Sequence, residues 1–137
     1  MSSFDLSRFV EAQAGIYPQA LAELRAGAKR GHWMWFVFPQ IAGLGRSDTA
    51  RHYAITSVAE ARAYLAHPLL GARLIEASGA VAAARGSAVA ILGSIDAIKL
   101  RSSMTLFAAA AADATPFRAV LDRFFEGADD PATLALL

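Results

Sequence analysis

Apolar positions recur at spacings of three and four along most of the chain, the period of helices that bury one face. Asp5 is placed to cap a first helix running from about Leu6 to Ala14, which Gly15 stops. Pro18 suits a first helical position and opens a second helix to about Ala28, with Ala20, Leu21, Leu24 and Ala28 on one face. The stretch "SVAE" at Ser57–Glu60 is a capping-box pattern that starts a helix ending near His67. Pro68 begins the next helix, whose apolar positions Leu70, Leu74 and Ala77 keep the same spacing. Residues 94–112 are expected to be helical, either continuous or broken at "SSMT". Thr115 and Pro116 make a cap and first turn, with Val120, Leu121, Phe124 and Phe125 inward and Gly127 as terminator. Asp130 and Pro131 repeat that start signal for a last short helix. Only "WFVF" and "AVAIL" could be strands, and neither is followed by a two-residue hairpin turn. The pattern predicts an all-α fold: a single compact multihelical domain of about seven helices over residues 1–137, without a sheet of three or more strands.

Composition narrows the function classes. The 55% hydrophobic fraction owes much to alanine, and the longest apolar runs, "WMWFVF" and "FAAAAA", fall far short of a bilayer span. No basic segment leads into an apolar one, so a soluble, cytoplasmic protein without a membrane partner is expected. With no cysteine there is no thiol catalysis and no thiolate metal site. His32, His52 and His67 are singletons without metal-ligand spacing, so neither a metal nor a cofactor is expected, and His67 before Pro68 reads as a helix cap. A net charge of +1 with scattered basic residues leaves no footprint for nucleic acid. Eleven of the thirteen basic residues are arginine, so the two lysines, Lys29 and Lys99, call for a specific reason.

Two dense stretches could carry chemistry. "GHWMWFVFPQ" holds both tryptophans of the chain together with His32 and Gln40. Its phenylalanines and methionine suit a core, but an indole N–H and a glutamine amide each need partners when buried. Trp33 and Trp35 project apart on a helix and to the same side of an extended segment, where they would form a stacking wall for a planar ligand. Pro39 pushes Phe38 toward extended geometry. The following "GLGRS", with Gly43, Gly45 and Ser47, is either an anion-cradling loop at a helix start or a plain turn with Ser47 as cap. In the second stretch, "GSIDAIKLRSSMTLF", helical spacing puts Asp96, Lys99 and Ser103 on one face. Asp96 and Lys99 could be an ordinary ion pair. Ser102, Ser103 and Thr105 are poor choices inside a helix, and with Arg101 they would suit the holding of a phosphate or sugar.

Together "GHWMWFVFPQIAGLGRS", "YAITSVAEARAYLAHPLLGARL", "GSIDAIKLRSSMTLF" and the closing Asp-Pro-x-Thr-Leu-x-x-Leu resemble the uncharacterised domain-of-unknown-function family 1810, some of whose members carry the label "calpastatin". The resemblance covers essentially the whole chain, departing at Leu92, where Phe is commoner, and Gly31, where Ser is commoner. It implies a single all-helical domain without an established activity. A more distant, fold-level resemblance to the YbiA-like (NADAR) proteins implies a Trp-lined small-molecule site and hydrolysis of N-glycosidic bonds.

Two readings follow. In the first, a nucleotide or ADP-ribose-like small molecule stacks on Trp33 or Trp35, with His32 and Gln40 beside it. Lys99, Arg101, Ser102, Ser103, Thr105 and the Gly43–Gly45 loop with Ser47 hold its phosphate or sugar, and Asp96 or Glu60 serves as acid or base of a metal-independent hydrolase. In the second, the aromatic segment 32–40 docks a protein partner without catalysis. The sequence sets no oligomeric state. The first reading expects segments 32–47 and 96–105 to converge, with Trp33 or Trp35 touching Lys99, Ser102 or Ser103.

Overall fold

The structure, a computed structural model, describes residues 4–137. Met1–Ser3, the start of the expected domain, lie outside the described residues. Ten helices occur among the described residues, and the pairing of Ile41 with Ile55 is an isolated parallel bridge rather than a strand. The chain begins with α1 (Ser7–Gln13) and α2 (Tyr17–Ala26), followed by the single turns α3 (Met34–Val37) and α4 (Asp48–His52). Then come α5 (Val58–Ala66), α6 (Leu70–Ala83) and the short α7 (Ala88–Leu92). The long α8 (Ser94–Ala110), α9 (Thr115–Phe125) and the terminal turn α10 (Pro131–Leu134) complete it.

The all-helical expectation holds, and the number of helices is corrected from about seven to ten. The additions are α3, α4 and α7, of four, five and five residues. A helix that short has no face long enough to show a period, and its stability comes from packing rather than propensity. "WFVF" and "AVAIL", the two candidate strands, are therefore helical turns. Two boundaries also move, the start of α6 from Pro68 to Leu70 and the end of the second helix. The second helix stops at Ala26 because Gly27 takes the left-handed conformation, which leaves Ala28 exposed. Phe124 and Phe125 are only partly buried, packed on the edge of the core.

Helix α8 is the axis, packed by α5, α7, α9 and α10, while α6 carries α2, α5 and α9 on its own sides. It is buried all round from Ser102 to Phe107, as a helix surrounded by others must be. Of the two alternatives for "SSMT", the helix runs through it unbroken. Thr105 donates its hydroxyl to the Arg101 carbonyl one turn back at 2.8 Å, and Ser102 shares its one hydroxyl proton between the Ile98 carbonyl at 3.2 Å and a later segment, so neither competes for the helix ladder. Helices α5 and α6 meet where Gly71 lies against the Leu65 backbone carbonyl, with no room for a Cβ. The turn between them is held by His67, whose Nδ1 accepts the N–H groups of Leu69 and Leu70, both at 3.2 Å. Gln13 closes a fully buried polar contact, donating to the Phe36 carbonyl at 2.7 Å and the Tyr64 hydroxyl at 3.2 Å.

Ser57 caps α5 as its sequence indicates, its hydroxyl accepting the Glu60 N–H at 3.1 Å. Ser57→Ala is expected to cost about 1 kcal/mol, read from the urea midpoint at constant slope. Gly71→Ala drives a methyl group into backbone and is expected to cost more, roughly 1–3 kcal/mol on the same measurement.

Candidate functional site

The aromatic stretch divides at Trp33. Because Trp33 precedes the first residue of α3 and Trp35 lies within it, the two indoles diverge, and no common stacking wall forms. Trp33 is buried and donates its indole N–H to Glu23 Oε1 at 3.0 Å. The same carboxylate accepts the N–H groups of Arg30 and Gly31 at 2.7 and 2.9 Å and the Gln19 amide at 2.8 Å. Desolvation alone would raise the Glu23 carboxyl, but these four donors outweigh it and pull its pKa down to about 2. Trp33 therefore anchors the loop between α2 and α3. It is part of the core.

Trp35 reaches the surface and forms a common wall of three depressions. The most enclosed, of about 150 Å³, lies between Trp35, the 40–45 loop, α4 and Tyr53, with Lys99 at one side. A second, open depression runs past His32, Asp48, His52 and Tyr53. The third, also open, runs over Lys29, His32, Ser94 and Asp96 at the start of α8. Segments 32–47 and 96–105 thus converge as expected, and the contact is Lys99 Nζ lying 3.9 Å from the Trp35 ring centroid. Lys29 Nζ lies 5.1 Å from the Trp33 ring centroid. Both ammonium groups pair with Asp96, Lys29 at 2.9 Å and Lys99 at 3.5 Å. Two cations against one carboxylate leave the site with an excess of positive charge.

The loop from Gln40 to Gly45 is fixed at both ends. The Gln40 carbonyl accepts from Ile55 N–H and Ala42 N–H donates to the Ile55 carbonyl, both at 2.8 Å. Gly45 packs so closely on α4 that an added Cβ would stand 2.6 Å from the Ala50 methyl. Ser47 caps α4, accepting the Ala50 N–H at 3.1 Å. The plain-turn reading of "GLGRS" is the one the backbone adopts, and the turn forms a wall of the enclosed cavity. Tyr53 stacks on Phe36 with centroids 5.4 Å apart and planes at 27°, so its ring is held before any ligand arrives.

The remaining expected site residues lie elsewhere. Arg101 donates to the carbonyls of Ala128 and Asp129 at 3.1 and 2.7 Å. Ser102 donates to Asp130 Oδ2 at 2.8 Å, and Thr105 accepts the Asp130 N–H at 2.9 Å. This hydroxyl cluster seats the chain's own 128–133 segment on α8, and none of the three residues lines a depression around Trp35. Ser103 is fully buried and its hydroxyl has no hydrogen-bond partner. Glu60 is buried at the start of α5, where it accepts the Thr56 N–H at 2.8 Å and pairs with Arg8 at 3.4 Å. It faces none of the three depressions. Arg51 and Tyr53 line the cavity without having been singled out in the sequence. The pattern of aromatics was a usable signal for Tyr53, whereas an exposed arginine gives none.

Among the described residues, no group of three or more histidine, aspartate or glutamate side chains could hold a metal ion, and no helix is long and apolar enough to cross a membrane. The depressed Glu23 pKa carries a sign. A carboxylate whose folded pKa is below its ordinary value of 4.5 adds stability above that value, and the addition is lost as pH falls toward about 2. Glu23→Gln is therefore expected to lower the melting temperature at pH 7 and to flatten its decline between pH 4.5 and 2. Melting curves across that range check it.

One crystal structure matches the whole fold: the conserved hypothetical protein Rv1873 from Mycobacterium tuberculosis. It is 53% identical, the match covers 99% of this chain and 98% of that one, and the TM-score is 0.97. No curated protein matches the chain. The description "Protein of unknown function (DUF1810)" fits residues 3–137, and the chain belongs to that family.

Proposed function

We propose that this domain binds a small, anionic, nucleotide-like molecule on Trp35, with a planar part in the enclosed cavity and the remainder over the neighbouring depressions. The observation that carries the reading is the combination around one indole. A partly enclosed, largely apolar cavity of about 150 Å³ is lined by Lys99 and Arg51, and no carboxylate lines it. Arg51 makes no side-chain hydrogen bond or ion pair to another described residue, so its guanidinium is open to an anion.

Binding is better supported than hydrolysis of an N-glycosidic bond. Asp96, which lines the depression at the start of α8, is the acid or base that geometry would favour, but both its oxygens are engaged by ammonium groups. If hydrolysis occurs, Asp96→Asn abolishes turnover. The distant NADAR likeness belongs to this proposal only as the source of the ADP-ribose-like class. A partner-docking role for the aromatic segment has less support, because Trp33, Met34, Phe36, Val37 and Phe38 are buried.

A thermal-shift screen against a metabolite library tests the proposal, since a ligand at 100 times its Kd raises stability by about 2.7 kcal/mol. Trp35→Ala should remove the shift while leaving the fold intact, and ligand should quench fluorescence from Trp35 rather than Trp33. The two lysines separate stability from binding. Lys29, half-buried, pairs with Asp96 and donates to the Gly31 carbonyl at 2.6 Å, a geometry that a planar guanidinium fork does not reproduce, so Lys29→Arg is expected to lower stability. Lys99 borders the cavity, so Lys99→Arg is expected to weaken ligand affinity with little change in melting temperature. Calorimetry on the two variants checks both outcomes. Unimpaired binding by Lys99→Arg would remove Lys99 from the site.

A further inference from the structure

The cavity beside Trp35 is small, and one of its side chains is chemically idle. Gln40 lines it, and the Gln40 amide makes no hydrogen bond to any described residue. Neither amide atom is sealed from solvent, and Gln40 is half-buried. The backbone beneath is not free to move, because both flanking hydrogen bonds to Ile55 are 2.8 Å. A primary amide held this way offers a carbonyl acceptor and an N–H donor side by side in one plane. Its complement is a ring edge with an adjacent donor and acceptor.

Room limits the ring. A cavity of about 150 Å³ is the size class that holds one benzene-sized ring, and a fused bicycle would project from its open side. Trp35 and Tyr53 both line it, and Tyr53 is fixed in place by its stacking on Phe36. Arg51, with its unpaired guanidinium, adjoins the same space and suits a phosphate, to which it can offer two parallel N–H groups.

We propose that the cavity recognises the base of a pyrimidine nucleoside monophosphate, with Gln40 reading the ring edge and Arg51 taking the phosphate; this rests on the small-molecule reading above. The amide donates to the uracil O4 and accepts from N3–H, or donates to the cytosine N3 and accepts from the 4-amino group. Adenine also presents a donor beside an acceptor, so the amide does not exclude purines. Ring size disfavours them.

Calorimetry tests the assignment with uridine, uridine 5′-monophosphate, cytidine 5′-monophosphate, adenosine 5′-monophosphate and N3-methyluridine 5′-monophosphate. The two pyrimidine monophosphates should bind, with the adenine nucleotide and the N3-methyl compound each at least tenfold weaker. Gln40→Leu should lose that preference, and Gln40→Glu, which keeps the size but has no N–H donor, serves if the leucine variant does not fold. Arg51→Gln should reduce binding of the monophosphate toward that of uridine. If the adenine nucleotide binds as well as the pyrimidines, or if both Gln40 variants keep the full preference, the ring assignment is overturned. If none of these compounds binds while some other metabolite gives a Trp35-dependent shift, the pyrimidine assignment falls and the small-molecule reading stands. If no compound gives a Trp35-dependent shift, both fall.

Discussion

The Asp96 carboxylate, shared by two ammonium groups, is the contact on which the arrangement around Trp35 depends. Lys29 comes from the loop after α2 and Lys99 from the second turn of α8, and each also lies over one of the two indoles. One carboxylate thus ties the 29–35 segment to the start of the central helix. The groups are mostly withdrawn from solvent, with 9%, 18% and 20% of the Lys29, Asp96 and Lys99 side chains exposed. Charges in that state are costly to leave without partners, so removing Asp96 would strand two cations rather than merely lose one ion pair.

This tie explains why the tryptophans, two residues apart, serve different ends. Trp33 faces inward, where Glu23 satisfies its N–H and the backbone donors of the same loop. Trp35 is left at the surface with a lysine on its ring, and the 40–45 loop and α4 close around it. The bridge between Ile41 and Ile55, though only a single pairing, fixes that loop to the chain leading into α5. The cavity wall is therefore built from backbone and ring contacts already made without ligand, which lowers the ordering cost of binding.

At the other end of α8 the same economy of contact serves the fold. Ser102 and Thr105 each bond one turn back along the helix and also engage Asp130, while Arg101 takes two carbonyls of the preceding loop. Burial would raise the Asp130 carboxyl, but the Thr133 and Ser102 hydroxyls and backbone donors at the α10 start hold it below its usual range. The caps at Ser57 and Asp130 and the stop at Gly127 were legible because a cap is a local event, decided by residues three or four apart. The partners of Ser102 and Thr105 were not, since Asp130 lies 28 and 25 residues farther on.

By itself the sequence determined the helical class, the longer helices, most of their ends and the two regions that meet at Lys99. Those features follow from short-range periodicity and from side chains that bond their own neighbouring backbone. It also flagged Lys29 and Lys99 by their rarity, without indicating that both serve one carboxylate. Only the tertiary structure decided which indole is core and which is pocket, that Glu23 receives the loop, and that Arg51, Tyr53 and Gln40 surround one cavity. Each of those outcomes depends on how segments distant in sequence pack, and packing is set by shape and by the pairing of buried polar groups, which no local spacing encodes.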